Sequence, residues 1–317
     1  NRGTVWWSAG CVARNIAENL ARFGVGVTLV GTVGSDPLSE WVLATTERSG
    51  VDVSGVMRRS DGRVGVYASI LERGELVTAV ADLDTTERLT SDDLVRVLDR
   101  QPAVSLLVVD CNVTSEVLQT AIGWANQRHV PIVIEPVSVE KAGRLHALCG
   151  EVDIVTPNRD EADVIVACSE DPALRIRHYV MSRGRAGVAY WMNVGASNGP
   201  TYDQSTVDLV DVFPTIALNA RNSNGCGDAF VAGVVSAIID RAGAERELRK
   251  TLMERLDREV VVRGMAAGYL TAASEDSVSR SISRDDLLRV ADRIERYGSR
   301  FTDTELYSRW YGSPRRR

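Results

Sequence analysis

The sequence predicts an α/β fold with a mainly parallel central sheet flanked by helices. Two observations predict it. Short β-branched runs alternate with longer helical runs along most of the chain, and a Gly-rich turn, Asn224-Gly225-Cys226-Gly227-Asp228, opens a long apolar helix. Strands that alternate with helices form parallel sheets covered on both faces, and ligands bind beyond the carboxyl ends of such strands. With 317 residues, 44% of them apolar, the chain can bury a full core as one domain over 1–317.

Cys11 to Phe23 reads as a helix with Val12, Ile16, Leu20 and Phe23 on one stripe, and Gly24 ends it. Val27 to Gly31 is a short buried strand, and Pro37 to Ser49 a second helix that stops at Gly50. Val64 to Leu71 and Leu76 to Ala81 are strand-like runs joined by Glu72-Arg73-Gly74-Glu75, a hairpin signal lying between βα units. A small sheet outside the main one is expected over 64–82.

Alternation then resumes. Leu106 to Asp110, Ile132 to Glu135 and Val152 to Thr156 read as strands, each followed by a helix: Ser115 to Arg128, Val139 to Leu148 and Asp160 to Ala167. Tyr179 to Ser182 and Val188 to Met192 are two further strands. From Asp228 the chain reads as helical through Ile239, from Glu245 to Ala273 and from Arg284 to Tyr297.

Composition excludes several classes. A net charge of −6 argues against general affinity for nucleic acid or anionic membranes, and the basic end Pro314-Arg315-Arg316-Arg317 is too short to reverse it. The five cysteines Cys11, Cys111, Cys149, Cys168 and Cys226 are scattered, odd in number and without a CxxC pair, so neither a disulfide framework nor a zinc site is expected. A reducing, cytoplasmic setting fits this usage. No apolar run approaches the ~20 residues that span a bilayer. Gly31-Thr32-Val33-Gly34 lacks the spacing of a dinucleotide fingerprint, which argues against an oxidoreductase.

The Gly-rich turn carries the chemistry. Its glycines allow a tight turn and a close approach of ligand to backbone. The free N–H groups of a helix start, with the positive dipole end behind them, suit an anion that gains charge during reaction. Asp228 at the same spot can take a proton from a hydroxyl. The same residues are also what a plain turn and helix cap would use.

Asn-Gly-Cys-Gly-Asp-Ala-Phe-Val-Ala-Gly at 224–233 closely resembles the second signature of the PfkB, or ribokinase-like, family of carbohydrate and nucleoside kinases. The resemblance implies a ribokinase-like three-layer fold with a small β lid at 64–82. It implies Asp228 as the catalytic base, and Gly225, Cys226 and Gly227 as the anion hole. ATP and Mg²⁺ are the implied cofactors. Asn158 and Glu161, in Thr156-Pro157-Asn158-Arg159-Asp160-Glu161, resemble the family's Asn-x-x-Glu motif, which organises magnesium and phosphate through water. A capping box would use the same two residues. Ser182 and Gly184, in Met181 to Val188, resemble the strand-turn that lines the nucleotide site, and Asn224 belongs with them. Gly268 to Ser283 is similar to the family's segment near the adenine.

Gly10-Cys11-Val12-Ala13-Arg14-Asn15 resembles the first signature, in which glycines approach the sugar and the Asn binds a hydroxyl. Gly10 and Asn15 match. Cys11 departs from a second Gly, and if that position needs positive φ, a Cys there costs about 1 kcal/mol.

Glu135-Pro136-Val137-Ser138 and the run 64–84 are similar to pseudouridine kinases, a subgroup that also carries the Arg-Asn pair. The subgroup implies phosphorylation of the 5′-hydroxyl of pseudouridine, with Glu135, Asp110 and Asn112 near the substrate. For Asp110-Cys111-Asn112, a strand-end turn held by Asx hydrogen bonds is an equal reading. Ribose, adenosine or another sugar remains an alternative acceptor, as does a non-catalytic nucleoside- or sugar-binding role. The family's first strand carries a sugar-binding Asp, whereas the nine residues before Gly10 contain none. The expectation is either an upstream extension or a reduced sugar site. A fusion behind a pseudouridine-phosphate glycosidase and a homodimer through the lid are both compatible with the resemblance.

Overall fold

The computed structural model describes residues 3–5, 7–72, 75–167, 173–193, 223–243, 245–280 and 282–297. Cys168 and the basic end at 314–317 lie outside the described residues. Among the described residues, no helix is long and apolar enough to cross a membrane.

Among the described residues, five strands form the central sheet in the order β5 (Leu107–Asp110), β6 (Ile132–Glu135), β7 (Gly150–Val155), β8 (Leu174–Ser182) and β9 (Val188–Met192). The first four run parallel, and β9 turns back antiparallel on β8. Alternation along each strand sends side chains to opposite faces. Ile132 and Ile134 thus enter one core while Val133 enters the other, and on β9 Tyr190 and Trp191 divide in the same way.

The first core lies under α1 (Val12–Arg22), α7 (Cys226–Ala242), α8 (Glu245–Met253), α9 (Arg258–Ala272) and α10 (Arg284–Tyr297). The second lies under α3 (Ser91–Leu98), α4 (Ser115–Arg128) and α6 (Arg159–Ala167). The result is three layers, helices on both sides of one sheet. Within the first layer α7 and α9 pack closely because neither carries a side chain at the crossing. A Cβ on Gly233 would lie 2.5 Å from the Arg263 carbonyl oxygen, and one on Gly264 would lie 2.7 Å from the Phe230 ring.

β1 (Thr28–Val33) pairs in parallel with β2 (Asp52–Arg58) as a separate two-stranded sheet, with α2 (Pro37–Arg48) as the connection. The expected hairpin is present as β3 (Val66–Glu72) and β4 (Glu75–Asp82), antiparallel and outside the main sheet. Tyr67, Ile70, Val77 and Val80 leave it largely exposed.

Three differences from the sequence reading have physical causes. The helix expected at Val139–Leu148 is short: α5 (Val139–Ala142) tightens into a 3₁₀ turn over Gly143–Ala147. The single helix expected at 245–273 is broken between α8 and α9. In a continuous helix the Leu256 N–H would bond the Leu252 carbonyl. Instead Leu256 N–H donates to the Tyr190 hydroxyl at 2.9 Å, and the Leu252 carbonyl lies 2.7 Å from His178 Nε2. Finally, β2 and α3 were not anticipated. For α3 the signal was available, since Thr90 and Asp93 form a reciprocal capping box.

Candidate active site

The residues singled out in the sequence converge at the carboxyl ends of β5 to β8. Asp110 ends β5 and stands in register with Glu135 at the end of β6. Asp110 is buried, and both its oxygens accept backbone N–H groups: Oδ1 from Asn112 at 2.9 Å and Oδ2 from Ala13 at 2.8 Å. The first bond is the Asx turn anticipated as one reading. The second anchors the first turn of α1 from 97 positions away. It stands in for a missing cap, because Cys11 at the N-cap makes no side-chain bond to that turn.

Cys11 has φ 81° and ψ 141°, so the position that demands positive φ is the one where the chain departs from glycine. Gly10 has nothing within 4 Å of where its Cβ would be. The carboxylates of Asp110 and Asp228 and the Lys141 ammonium all act on the Cys11 thiol. Lys141 Nζ donates to Asn112 Oδ1 at 2.6 Å, so Asn112 is tied to a cation that the sequence reading did not single out.

α7 begins on Gly225, which takes φ 79° and offers no side-chain cap. A Cβ there would sit 2.0 Å from the Ser277 carbonyl oxygen, so the turn after α9 closes directly onto this loop. Gly227, by contrast, has open space where its Cβ would be. An uncapped helix start leaves N–H groups without intrahelical partners, the arrangement that suits an anion. Here the Cys226 N–H reaches the Ser223 carbonyl at 3.4 Å, and no side chain caps the turn.

Asp228 lies in the first turn of α7, where its Oδ2 accepts the Asn15 Nδ2–H at 2.7 Å. Burial pushes its carboxyl up to about 7. The nearby Asp110 carboxylate adds to the rise, while the Asn15 hydrogen bond and Arg14 oppose it. A carboxylate with such a value can accept a proton near neutral pH and release it again. Glu135, at the end of β6, is raised well above the usual carboxylate range, first by burial and then by the Glu161 and Asp228 charges. Thr156 Oγ1 donates to its Oε2, and the Val137 N–H to its Oε1 at 3.4 Å. Val137 adopts φ 73°, unusual for a β-branched residue.

Asn158 and Glu161 close on each other. Asn158 N–H donates to Glu161 Oε2 at 2.8 Å, and Glu161 N–H donates to Asn158 Oδ1 at 3.0 Å. This is the capping box, and it opens α6. Burial pushes the Glu161 carboxyl up. Among the described residues no cluster of three His, Cys, Asp or Glu side chains could hold a metal directly. A carboxylate and an amide oxygen are groups that a hydrated Mg²⁺ can contact through its water shell. Ser182, at the end of β8, donates its N–H to the Pro157 carbonyl at 2.9 Å and pairs with Asn158. Gly184 follows with φ 53°, opening the 3₁₀ turn to β9. Asn224 is exposed just ahead of Gly225.

Comparison with known proteins bears on the family and the fold. The profile of the pfkB family carbohydrate kinases matches residues 2–252. Pseudouridine kinase of Escherichia coli (strain K12) is 29% identical over 255 residues, spanning 76% of each chain. Pseudouridine kinase of Arabidopsis thaliana is 32% identical over 166 residues, which is 50% of this chain and 42% of that one. Among solved structures, an E. coli chain provisionally classed as ribokinase II, in complex with ATP and Mg²⁺, superposes with a TM-score of 0.70 at 12% identity over 92% of each chain. With the three-layer fold, the Gly-rich helix start and the profile match in agreement, the chain belongs to the pfkB family of carbohydrate kinases.

Proposed function

We propose that this chain transfers the γ-phosphoryl group of ATP to the 5′-hydroxyl of pseudouridine, with Asp228 as the base. The observation that carries the reading is the placement of Asp228. Its carboxylate stands in the first turn of α7, at a helix start without a side-chain cap, and is held by Asn15 at 2.7 Å. A base and an anion site at one helix start are what phosphoryl transfer to an alcohol requires.

In this reading Asp228 takes the hydroxyl proton as the oxygen attacks phosphorus. The N–H groups of Gly225, Cys226 and Gly227 face the charge that grows on the transferred group. Gly10, Asn15, Asp110, Asn112 and Glu135 line the acceptor side, and Asn158, Ser182, Gly184 and Asn224 the nucleotide side. Mg²⁺, held through water by Asn158 and Glu161, would neutralise phosphate charge. The hairpin β3–β4 serves as a lid that excludes water. Pseudouridine as the acceptor is supported by the likeness to the E. coli and Arabidopsis enzymes of that name.

The test is ADP release over a panel of pseudouridine, uridine, adenosine and ribose. A kcat/KM for pseudouridine well above the rest is expected. Preference for another acceptor removes the substrate assignment and leaves the kinase. Absence of ADP release with every acceptor, from protein that binds ATP, removes the enzyme reading.

A further inference from the structure

We propose that Arg14 is a positioning residue for phosphoryl transfer, holding the Asn15 amide so that its N–H, and not its oxygen, faces Asp228. The inference rests on Asp228 being the base. An amide presents a donor on one side and an acceptor on the other, and a half-turn exchanges them. Asp228 needs the donor. Arg14 NH1 fixes the choice by donating to Asn15 Oδ1 at 3.1 Å, while Asn15 Nδ2 donates to Asp228 Oδ2 at 2.7 Å.

Arg14 is itself immobilised. Its NH1 also donates to the Ala9 carbonyl at 3.2 Å and its Nε to Thr46 Oγ1 at 3.1 Å, and its NH2 pairs with Glu18. Glu18 also holds Arg22 at 2.7 Å, and Arg22 NH1 bonds the Arg280 carbonyl at 2.8 Å. Arg14 and Glu18 are 5% and 4% exposed, so the chain of contacts from Arg22 to Asp228 runs under the surface of α1. A planar guanidinium serves several fixed acceptors at once, whereas an ammonium on a flexible stem does not.

If Arg14 is lost, the amide is free to turn its oxygen toward the carboxylate, which removes a donor and adds a repulsion. The charge of Arg14 is lost with it. Both effects favour the protonated form of Asp228. The other groups facing Asp228 are Asp110 from β5, Glu135 from β6, Cys11 ahead of α1 and Cys226 on its own helix. None of these is a cation. On α9, Arg263 is engaged with Asp240 at the far end of α7.

The experiment measures kcat/KM against pH for two variants. Arg14→Met/Glu18→Leu removes the buried pair together, because Arg14 without Glu18 would be a stranded buried cation, and Arg22, freed from Glu18, keeps its bond to the Arg280 carbonyl. Arg14→Lys keeps the charge beside Glu18 without the fork. Thermal melting identifies which variants fold. In the double variant the low-pH limb should move up by about one pH unit, with KM for ATP unchanged. In Arg14→Lys it should move in the same direction by less. A limb that stays in place in either folded variant overturns the proposal, because a merely structural arginine would alter melting without moving it. Asp228→Asn separates the two readings. If that variant turns over normally, the base assignment fails. If it is inactive while the Arg14 variants keep the wild-type limb, the base stands and the positioning role falls.

Discussion

Asn15 and Asp228 are 213 positions apart, yet a single hydrogen bond, Nδ2 to Oδ2 at 2.7 Å, joins the first turn of α1 to the first turn of α7. It brings the family's two signature segments to one point, and it places a donor on the carboxylate proposed to act as base.

Asp228→Asn should lower kcat by about 10²–10⁴-fold, the usual contribution of a positioned base, while ATP and nucleoside affinities change little. In the wild type, a base raised to about 7 is half protonated there, so kcat/KM should fall with unit slope as pH drops below that value. A flat profile between pH 8 and 5, with the protein still folded, would assign the proton transfer to another group.

Gly225 and Gly227 should respond differently to alanine. At Gly225 the added Cβ meets the Ser277 carbonyl at 2.0 Å, on a backbone with φ 79°, so Gly225→Ala should destabilise by about 2 kcal/mol or more. At Gly227 the same methyl has open space, and Gly227→Ala should leave melting unchanged or raise it slightly. It should still depress turnover if ligand phosphate approaches that backbone. Full activity in a stable Gly227→Ala would remove the phosphate from this turn.

Cys11 holds a backbone conformation that costs a residue with a Cβ about 1 kcal/mol. Cys11→Gly should relieve that strain, and since glycine also loosens the unfolded chain, the net gain should be below about 1 kcal/mol. Melting curves decide it. A lower melting temperature would mean that thiol contacts outweigh the strain.

His178 is fully buried, with Tyr190 hydroxyl at 3.0 Å from Nδ1 and the Leu252 carbonyl at 2.7 Å from Nε2. Burial lowers its pKa from 6.5 to about 4. The unfolded chain therefore takes up the proton near pH 6.5, whereas the folded chain refuses it until about 4, and stability is lost as pH falls through that window. The full loss is about 3 kcal/mol at 1.36 kcal/mol per pKa unit. The raised carboxyls of Asp228 and Glu135 act in the opposite direction, so the measurement is the difference between wild type and His178→Gln. The wild type should weaken relative to the variant between pH 7 and 4. A constant difference would mean that His178 does not titrate there.

The alternation of strands and helices was legible because periods of about 2 and 3.6 are written in local sequence. So was the helix start at 224–228, where Gly225 answers a local backbone demand, and so were the capping residues Asn158 and Glu161, which lie within one turn of each other. What tertiary structure decided involves partners distant in the chain. The capping of α1 by Asp110 crosses 97 positions, and the interruption after α8 arises because His178 and Tyr190 take the two backbone groups that would have continued the helix. The ionisation of Asp228 belongs to the same class, since burial and the surrounding charges set it and both exist only once the layers have packed. Sequence thus determined most of the segments that form elements and the family to which the chain belongs. Packing determined where those elements stop and how the carboxylate is tuned, because hydrogen bonds and desolvation depend on distance in space.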